Sequence, residues 1–220
     1  NPGTLVLTEN LVDPIWGEAR PPIPTSPFRV HELEYAGVSV VDKISKLRYE
    51  IKSKKATLLV LCTLDDVAYT LNVRAKGDID TCPVGIAYCL ISMDDAVLYC
   101  DPAKVVNIQS HLQESGVSVR PYDCIIDDLK AHCNVETSKV WLDKSRANYA
   151  LANSIPDQKL VDAQNPITPM KAVKNQAELE GMRLAHIVDG VAMAHFMAWL
   201  QVEVTKRPIA EVEIDTVLTG

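Results

Sequence analysis

The chain has 220 residues, 47% of them apolar and 23% charged, with a formal net charge of −7. That is enough apolar material for a proper core, yet no apolar run reaches the roughly 18 residues a membrane span needs. Acidic and basic residues are mixed, without the basic stripe of a nucleic-acid binder, so neither nucleic acid nor a membrane is an expected partner.

Residues 1–38 read as a proline-rich strap. Six prolines fall between Pro2 and Pro27, and Asp13-Pro14-Ile15-Trp16 followed by Arg20-Pro21-Pro22 has neither a helical nor a strand period. Proline withholds a backbone donor and imposes extended geometry, so no globular core is expected here. Trp16 reads either as an anchor pinning the strap to a neighbouring domain or as a partly exposed linker side chain. The chain starts at Asn1 with no charged-then-apolar leader pattern, and it reads as an excerpt of a longer protein.

From Ser39 to residue 164 the pattern becomes α/β. Ser39 with Asp42 is a helix cap, and Val40, Ile44, Leu47 and Ile51 fall on one helical face. Lys52, Lys54 and Lys55 end that helix at the negative pole of its dipole. Residues 56–62 are a continuous apolar run, as expected of a strand buried on both faces. Thr63 with Asp66 is read as the cap of a short helix through Leu71. The runs 85–92 and 96–101 are strands joined by Met93-Asp94-Asp95, a hairpin signal. Asp101-Pro102 opens a helix and Gly116 closes it. Residues 117–122 read as a strand, 123–134 as a helix, 139–143 as a strand, 145–152 as a short helix and 159–163 as a last strand. Alternation of this kind predicts a mixed sheet covered by helices.

Ile155-Pro156 and Asn165-Pro166 mark the exit from this module, and 165–220 is a third segment. Pro166 and Pro169 are expected to exclude regular helix before Met170. Asn175 then sits at an N-cap with Glu178 three residues on. The helix that follows, 176–204, is apolar nearly all round through Leu179, Met182, Ile187, Val191, Met193, Phe196, Trp199 and Leu200. Such a helix expects burial on more than one side. Pro208 opens a further helix.

Few side chains form a constellation that carries chemistry. None of the six cysteines makes a C-x-x-C pair, so they read as small buried hydrophobes and point to a reducing, cytoplasmic compartment. His186 and His195 share a helix face but stand about 13 Å apart along the axis, too far for one metal. Asp65 and Asp66 can be taken as paired carboxylates, although an N-terminal helix cap explains them better. No catalytic residue and no metal ligand is assigned. Arg74 is the single candidate for substrate binding, because it falls in the polar stretch 72–83 between a helix and a strand. A solvated or interdomain arginine is the bland alternative.

The wording of two stretches adds a resemblance. Lys171-Ala172-Val173-Lys174-Asn175, then Glu178, Glu180, Gly181-Met182-Arg183-Leu184-Ala185-His186-Ile187 is similar to the entry into the catalytic domain of aminopeptidase P, with Leu184 in place of an arginine. Leu64-Asp65-Asp66-Val67-Ala68-Tyr69, Asn72-Val73-Arg74-Ala75, Asp78-Ile79 and Pro83-Val84 resemble its second domain, with Ala75 for a glycine and Cys82 for an asparagine. The aspartate, tryptophan and arginine–proline strap matches as well. The resemblance implies a creatinase-N-like α/β domain over 39–164 and the first helices of an incomplete pita-bread metallopeptidase domain over 165–220. The parent would remove an N-terminal residue that precedes proline, using two metal ions, usually manganese, which make a hydroxide nucleophile and polarise the carbonyl. Their ligands, two aspartates, a histidine and two glutamates, would follow Gly220, leaving this stretch inactive by itself. A homodimer of the full-length protein is a further implication. Prolidase and the non-catalytic pita-bread histone chaperones are the rival readings.

Overall fold

The computed structural model describes Gly3 and residues 8–219. The strap is less irregular than its prolines suggest. It contains a short helix α1 (Val12–Trp16), a strand β1 (Phe28–Val30) and a helical turn α2 (Leu33–Ala36). Pro14 is accommodated in the first turn of α1, where its missing N–H has no intrahelical partner to lose. α1 buries nothing and Trp16 is half exposed. Phe28, in contrast, is 1% exposed and lies in the main core. Part of the strap is thus core, which its composition did not foretell.

Next come α3 (Val40–Ser53), β2 (Leu58–Leu61), α4 (Leu64–Thr70), β3 (Val73–Ala75), β4 (Tyr88–Ser92), β5 (Ala96–Cys100), α5 (Gln109–Glu114), β6 (Val117–Pro121), α6 (Ile125–Cys133), β7 (Val140–Leu142), α7 (Tyr149–Asn153) and β8 (Leu160–Asp162). Six strands make one mixed sheet in the order β6-β5-β4-β2-β7-β8, flanked by helices. β4 runs antiparallel to both β2 and β5, while β2–β7, β7–β8 and β5–β6 are parallel pairs. The β4–β5 hairpin is closed by Ser92 Oγ, which accepts from Asp94 N (3.2 Å) and Asp95 N (2.8 Å). β1 and β3 form a separate antiparallel ladder.

β2 sits mid-sheet and is buried at all four positions. Its side chains alternate between two cores. Leu59 and Leu61 join Val40, Ile44, Leu47 and Ile51 of α3, with Phe28 and Trp141. Leu58 and Val60 join Ile125, Leu129 and Cys133 of α6, with Leu151 and Ile155. Burying four such side chains stabilises by roughly 6–12 kcal/mol before chain entropy is subtracted. All six cysteines are unpaired thiols, and Cys89, Cys100 and Cys133 are buried.

Several local expectations change. Thr63 makes no side-chain cap; its carbonyl accepts from Asp66 N and Val67 N instead, and the two aspartates are engaged elsewhere. The helix expected from Pro102 to Gly116 is split into a 3₁₀ turn, Pro102–Val105, and α5. α7 begins only at Tyr149, because Asp143 Oδ1 holds Ser145 in an Asx turn and the cap is Asn148. Before Met170 there is helix after all: α8 (Ile167–Ala172) carries Pro169 in its first turn, where the lost donor costs nothing.

α9 (Gln176–Glu203) follows as the longest element, and α10 (Glu211–Thr219) follows α9. α9 has the expected capping box: Asn175 Oδ1 accepts from Glu178 N (3.0 Å) and Glu178 Oε2 accepts from Asn175 N (2.9 Å). The burial expected along it does not occur. No residue of α9 is buried: α2 and α10 touch it, but residues 181–195 all stay exposed.

Candidate functional site

Asn72 organises the surroundings of Arg74. At the end of α4 it adopts a left-handed conformation, φ 50°, which asparagine tolerates better than most residues. Its Nδ2 donates to Val38 O (2.9 Å), its carbonyl accepts from His31 N (2.7 Å), and its Oδ1 accepts from Lys43 Nζ (2.7 Å). One residue therefore turns the chain into β3, fixes the end of β1 and orients a lysine of α3. Lys43 is 2% exposed; its ammonium also donates to Tyr69 O (2.8 Å) and lies 3.8 Å over the Tyr69 ring. Burial lowers its pKa to about 8, with Arg74 adding to the fall and Glu178 opposing it.

Arg74 itself is in strand β3, not in a loop. The stretch was expected to be irregular because its partner strand, β1, comes from the strap more than forty residues upstream. The half-buried Arg74 donates through Nη1 to Ala68 O (3.0 Å) and Val73 O (2.9 Å). Arg29 is directly opposite on the ladder. Burial and then the Arg29 charge lower the Arg74 pKa. Neither arginine forms an ion pair with a described carboxylate. His31, stacked on Tyr35 at 6.0 Å, is pushed down to about 4 by burial and by the charges of Arg74, Lys43 and Arg29. It is neutral at physiological pH. Arg29, His31 and Lys43 were missed from the sequence because the β1–β3 pairing brings the first two to Arg74, and the docking of α3 on Tyr69 and Asn72 brings the third.

This cationic cluster adjoins the seam where α9 begins. Besides capping α9, Asn175 donates from Nδ2 to Ala36 O (2.8 Å) at the end of α2. Gly37 has φ 69°, and a Cβ there would lie 2.3 Å from Asn175 Oδ1, so the close approach requires glycine. Asp65 and Asp66 clasp α4 to the last turn of α8. Lys171 pairs with both, Arg146 stands 3.6 Å from the fully buried Asp66, and Asn165 Nδ2 donates to Asp66 (2.8 Å). Burial raises the Asp65 pKa, but the Lys171 bond and charge outweigh it and hold the carboxyl below its usual range.

Metal chemistry finds no support in these side chains. Among the described residues no three His, Cys, Asp or Glu converge to hold an ion. Asp65 and Asp66 are neutralised by cations, and His186 and His195 are exposed on α9, His186 Nδ1 lying 2.8 Å from Met182 O. The cluster around Arg74 gathers the positive charges of Arg29, Lys43 and Arg74, with the Glu178 carboxylate acting on the last two. No described helix is long and apolar enough to cross a membrane.

Residues 19–178 match the family described as Creatinase/Prolidase N-terminal domain. The chain is 36% identical over 222 residues to a probable Xaa-Pro aminopeptidase P of Sordaria macrospora, covering 96% of this chain and 36% of that protein. It is 38% identical to one from Ajellomyces capsulatus, covering 96% and 35%. The chain thus spans about a third of the length of the curated relatives it matches. Among solved structures, X-prolyl aminopeptidase from Caenorhabditis elegans, described as a cytosolic enzyme with a di-nuclear active site, superposes with a TM-score of 0.89 at 28% identity, covering 96% of this chain and 35% of that one. The Xaa-Pro dipeptidase of Bacillus anthracis shares the fold, with a TM-score of 0.60 at 17% identity over 82% of this chain and 48% of that one.

Proposed function

The chain belongs to the creatinase/prolidase N-terminal domain family, and from that premise we propose that it is a non-catalytic module of an Xaa-Pro aminopeptidase. On this reading 1–38 is an interdomain strap, 39–164 the second domain and 165–220 the start of the metallopeptidase domain. The parent removes the residue that precedes a proline from the N-terminus of a peptide, in the cytoplasm. It uses two metal ions, manganese on this reading, held by residues outside this chain. The observation that carries the proposal is the extent of the likeness to the nematode X-prolyl aminopeptidase, which covers 96% of the chain at a TM-score of 0.89. That coverage takes in residues beyond the α/β module. The relatives at 36–38% identity are named as Xaa-Pro aminopeptidases P, which favours an aminopeptidase over a prolidase.

This chain's contribution to the reaction is to bind and position the substrate. Arg74 contacts the peptide. Its guanidinium is half-buried, held by two carbonyls and free of any described carboxylate, so it presents a charge already oriented.

The full-length protein loaded with manganese is assayed on peptides with proline in the second position. Cleavage is expected, and the 220-residue chain alone should give none and should bind no manganese stoichiometrically. Arg74→Ala should lower kcat/KM by roughly 10- to 150-fold, the worth of a lost charge-assisted contact of about 1.5–3 kcal/mol. Arg74→Lys should restore only part, since a point charge does not replace a fork. Absence of Xaa-Pro cleavage refutes the assignment, and unchanged kinetics in Arg74→Ala removes Arg74 from substrate binding.

A further inference from the structure

The Arg29–Arg74 rung is unfavourable as it stands. Directly opposed residues on an antiparallel ladder place their Cβ atoms about 4.5–5.5 Å apart, and like charges there repel. Phe28, Val73 and Ala75 are buried, so by strand alternation both arginines project on the outer face of the ladder. Arg74 uses only Nη1 for its two carbonyl bonds, and the exposed Arg29 side chain has no hydrogen-bond partner among the described residues. The positive charges of Lys43 and Arg74 also oppose each other. Glu178 is the carboxylate that acts on Arg74 and Lys43, but its Oε2 is already committed to the Asn175 amide in the capping box. Two planar guanidinium groups on one face of the ladder, with N–H groups to spare and no direct ion pair with a described carboxylate, suit a carboxylate ligand.

We infer that Arg29 and Arg74 together form a two-pronged receptor for a carboxylate carried by the bound peptide beyond its proline. The inference rests on the reading of Arg74 as a peptide contact and adds the ligand group and the second arm. Binding the anion relieves the repulsion across the rung, so the strain of the free ladder is recovered as affinity. Substrates that present a carboxylate within reach, above all short peptides with a free C-terminus, are then favoured over neutral ones.

The side-chain Nε–Hε NMR signals of the arginines in the 220-residue chain are titrated with the tripeptide Ala-Pro-Ala, once as the free acid and once as the C-terminal amide. The free acid is expected to move the Arg29 and Arg74 signals and to bind at least about 10-fold more tightly than the amide. Arg29→Gln should abolish the preference while raising the melting temperature by about 1–4 °C, as the repulsion disappears. A purely structural arginine would lower it. Equal response to both peptides, no response, or a lower melting temperature in Arg29→Gln overturns the inference. In the full-length protein, kcat/KM should favour the free acid by a similar factor, and Arg29→Gln should bring the ratio to one. Equal rates on acid and amide in the unmodified protein would mean that another part of the protein supplies the carboxylate, and would overturn the inference while the Xaa-Pro assignment stands. Absence of any Xaa-Pro cleavage would fail that assignment instead, leaving the titration to decide the receptor.

Discussion

Replacing Asp78 by alanine should loosen the strap and with it the Arg29 arm. Asp78 and Lys104 form an ion pair whose side chains are 0% and 1% exposed. The same carboxylate accepts from Ser26 N (3.0 Å) in the strap and from Ile86 N (2.8 Å) at the approach to β4. It therefore ties together three segments far apart in sequence, next to Phe28, over whose ring Lys104 lies at 5.7 Å. Burial alone would raise the Asp78 pKa, but Lys104 and the two amides outweigh it and hold the carboxyl below its usual range. Removing one member of a buried pair costs about 3–5 kcal/mol, because the other charge is left without compensation. For a chain of this size that is a fall in melting temperature of roughly 6–20 °C. Calorimetry at pH 7 reads it, and limited proteolysis should show faster cutting around residues 20–27. Asp78→Leu combined with Lys104→Met should lose much less, since no charge is stranded, although the Ser26 and Ile86 amides stay unmet. Because the folded pKa is depressed, the Asp78 contribution is complete above about pH 4 and disappears as pH falls through the lower folded value. Asp78→Ala should lack that part of the acid sensitivity. A single variant melting within 2 °C of the parent, or a double variant as unstable as the sum of the two singles, would refute the reasoning.

Three further outcomes are expected. His31, depressed to about 4, should titrate near that value by imidazole NMR; its contribution to stability is complete above about pH 6.5 and is lost as pH falls toward 4, and Arg29→Gln should raise the midpoint. Gly37→Ala should destabilise by about 2–3 kcal/mol, from left-handed strain together with displacement of the Asn175 cap, and amide exchange in the first turn of α9 should accelerate; unchanged protection there would contradict the seam. Asp66→Ala, at a fully buried carboxylate, should cost about 3–5 kcal/mol, whereas Asp65→Ala, at one half exposed and screened, should cost less than about 1 kcal/mol; equal losses in urea unfolding would contradict the clasp.

Local signals carried much of this protein. The run 56–62 declared a doubly buried strand because it is apolar throughout yet too short for a helix buried on all sides, and β2 lies there, mid-sheet. Ser39 and Asn175 announced their helices because a cap is a bond between residues two or three apart, complete within the local sequence. The family wording around Lys171–Ile187 was legible for the same reason. Only the tertiary structure decided what depends on distant partners. Phe28–Val30 had no strand signal of its own and became β1 by pairing with Val73–Ala75. Arg74, read as a loop residue, thereby became one half of a charged rung. Asp65 and Asp66, read as a cap, were taken by Lys171 and Arg146, cations that only the folded chain brings to the first turn of α4. The charge on a side chain is written in the sequence, but the field it stands in is the sum over neighbours that only folding assembles.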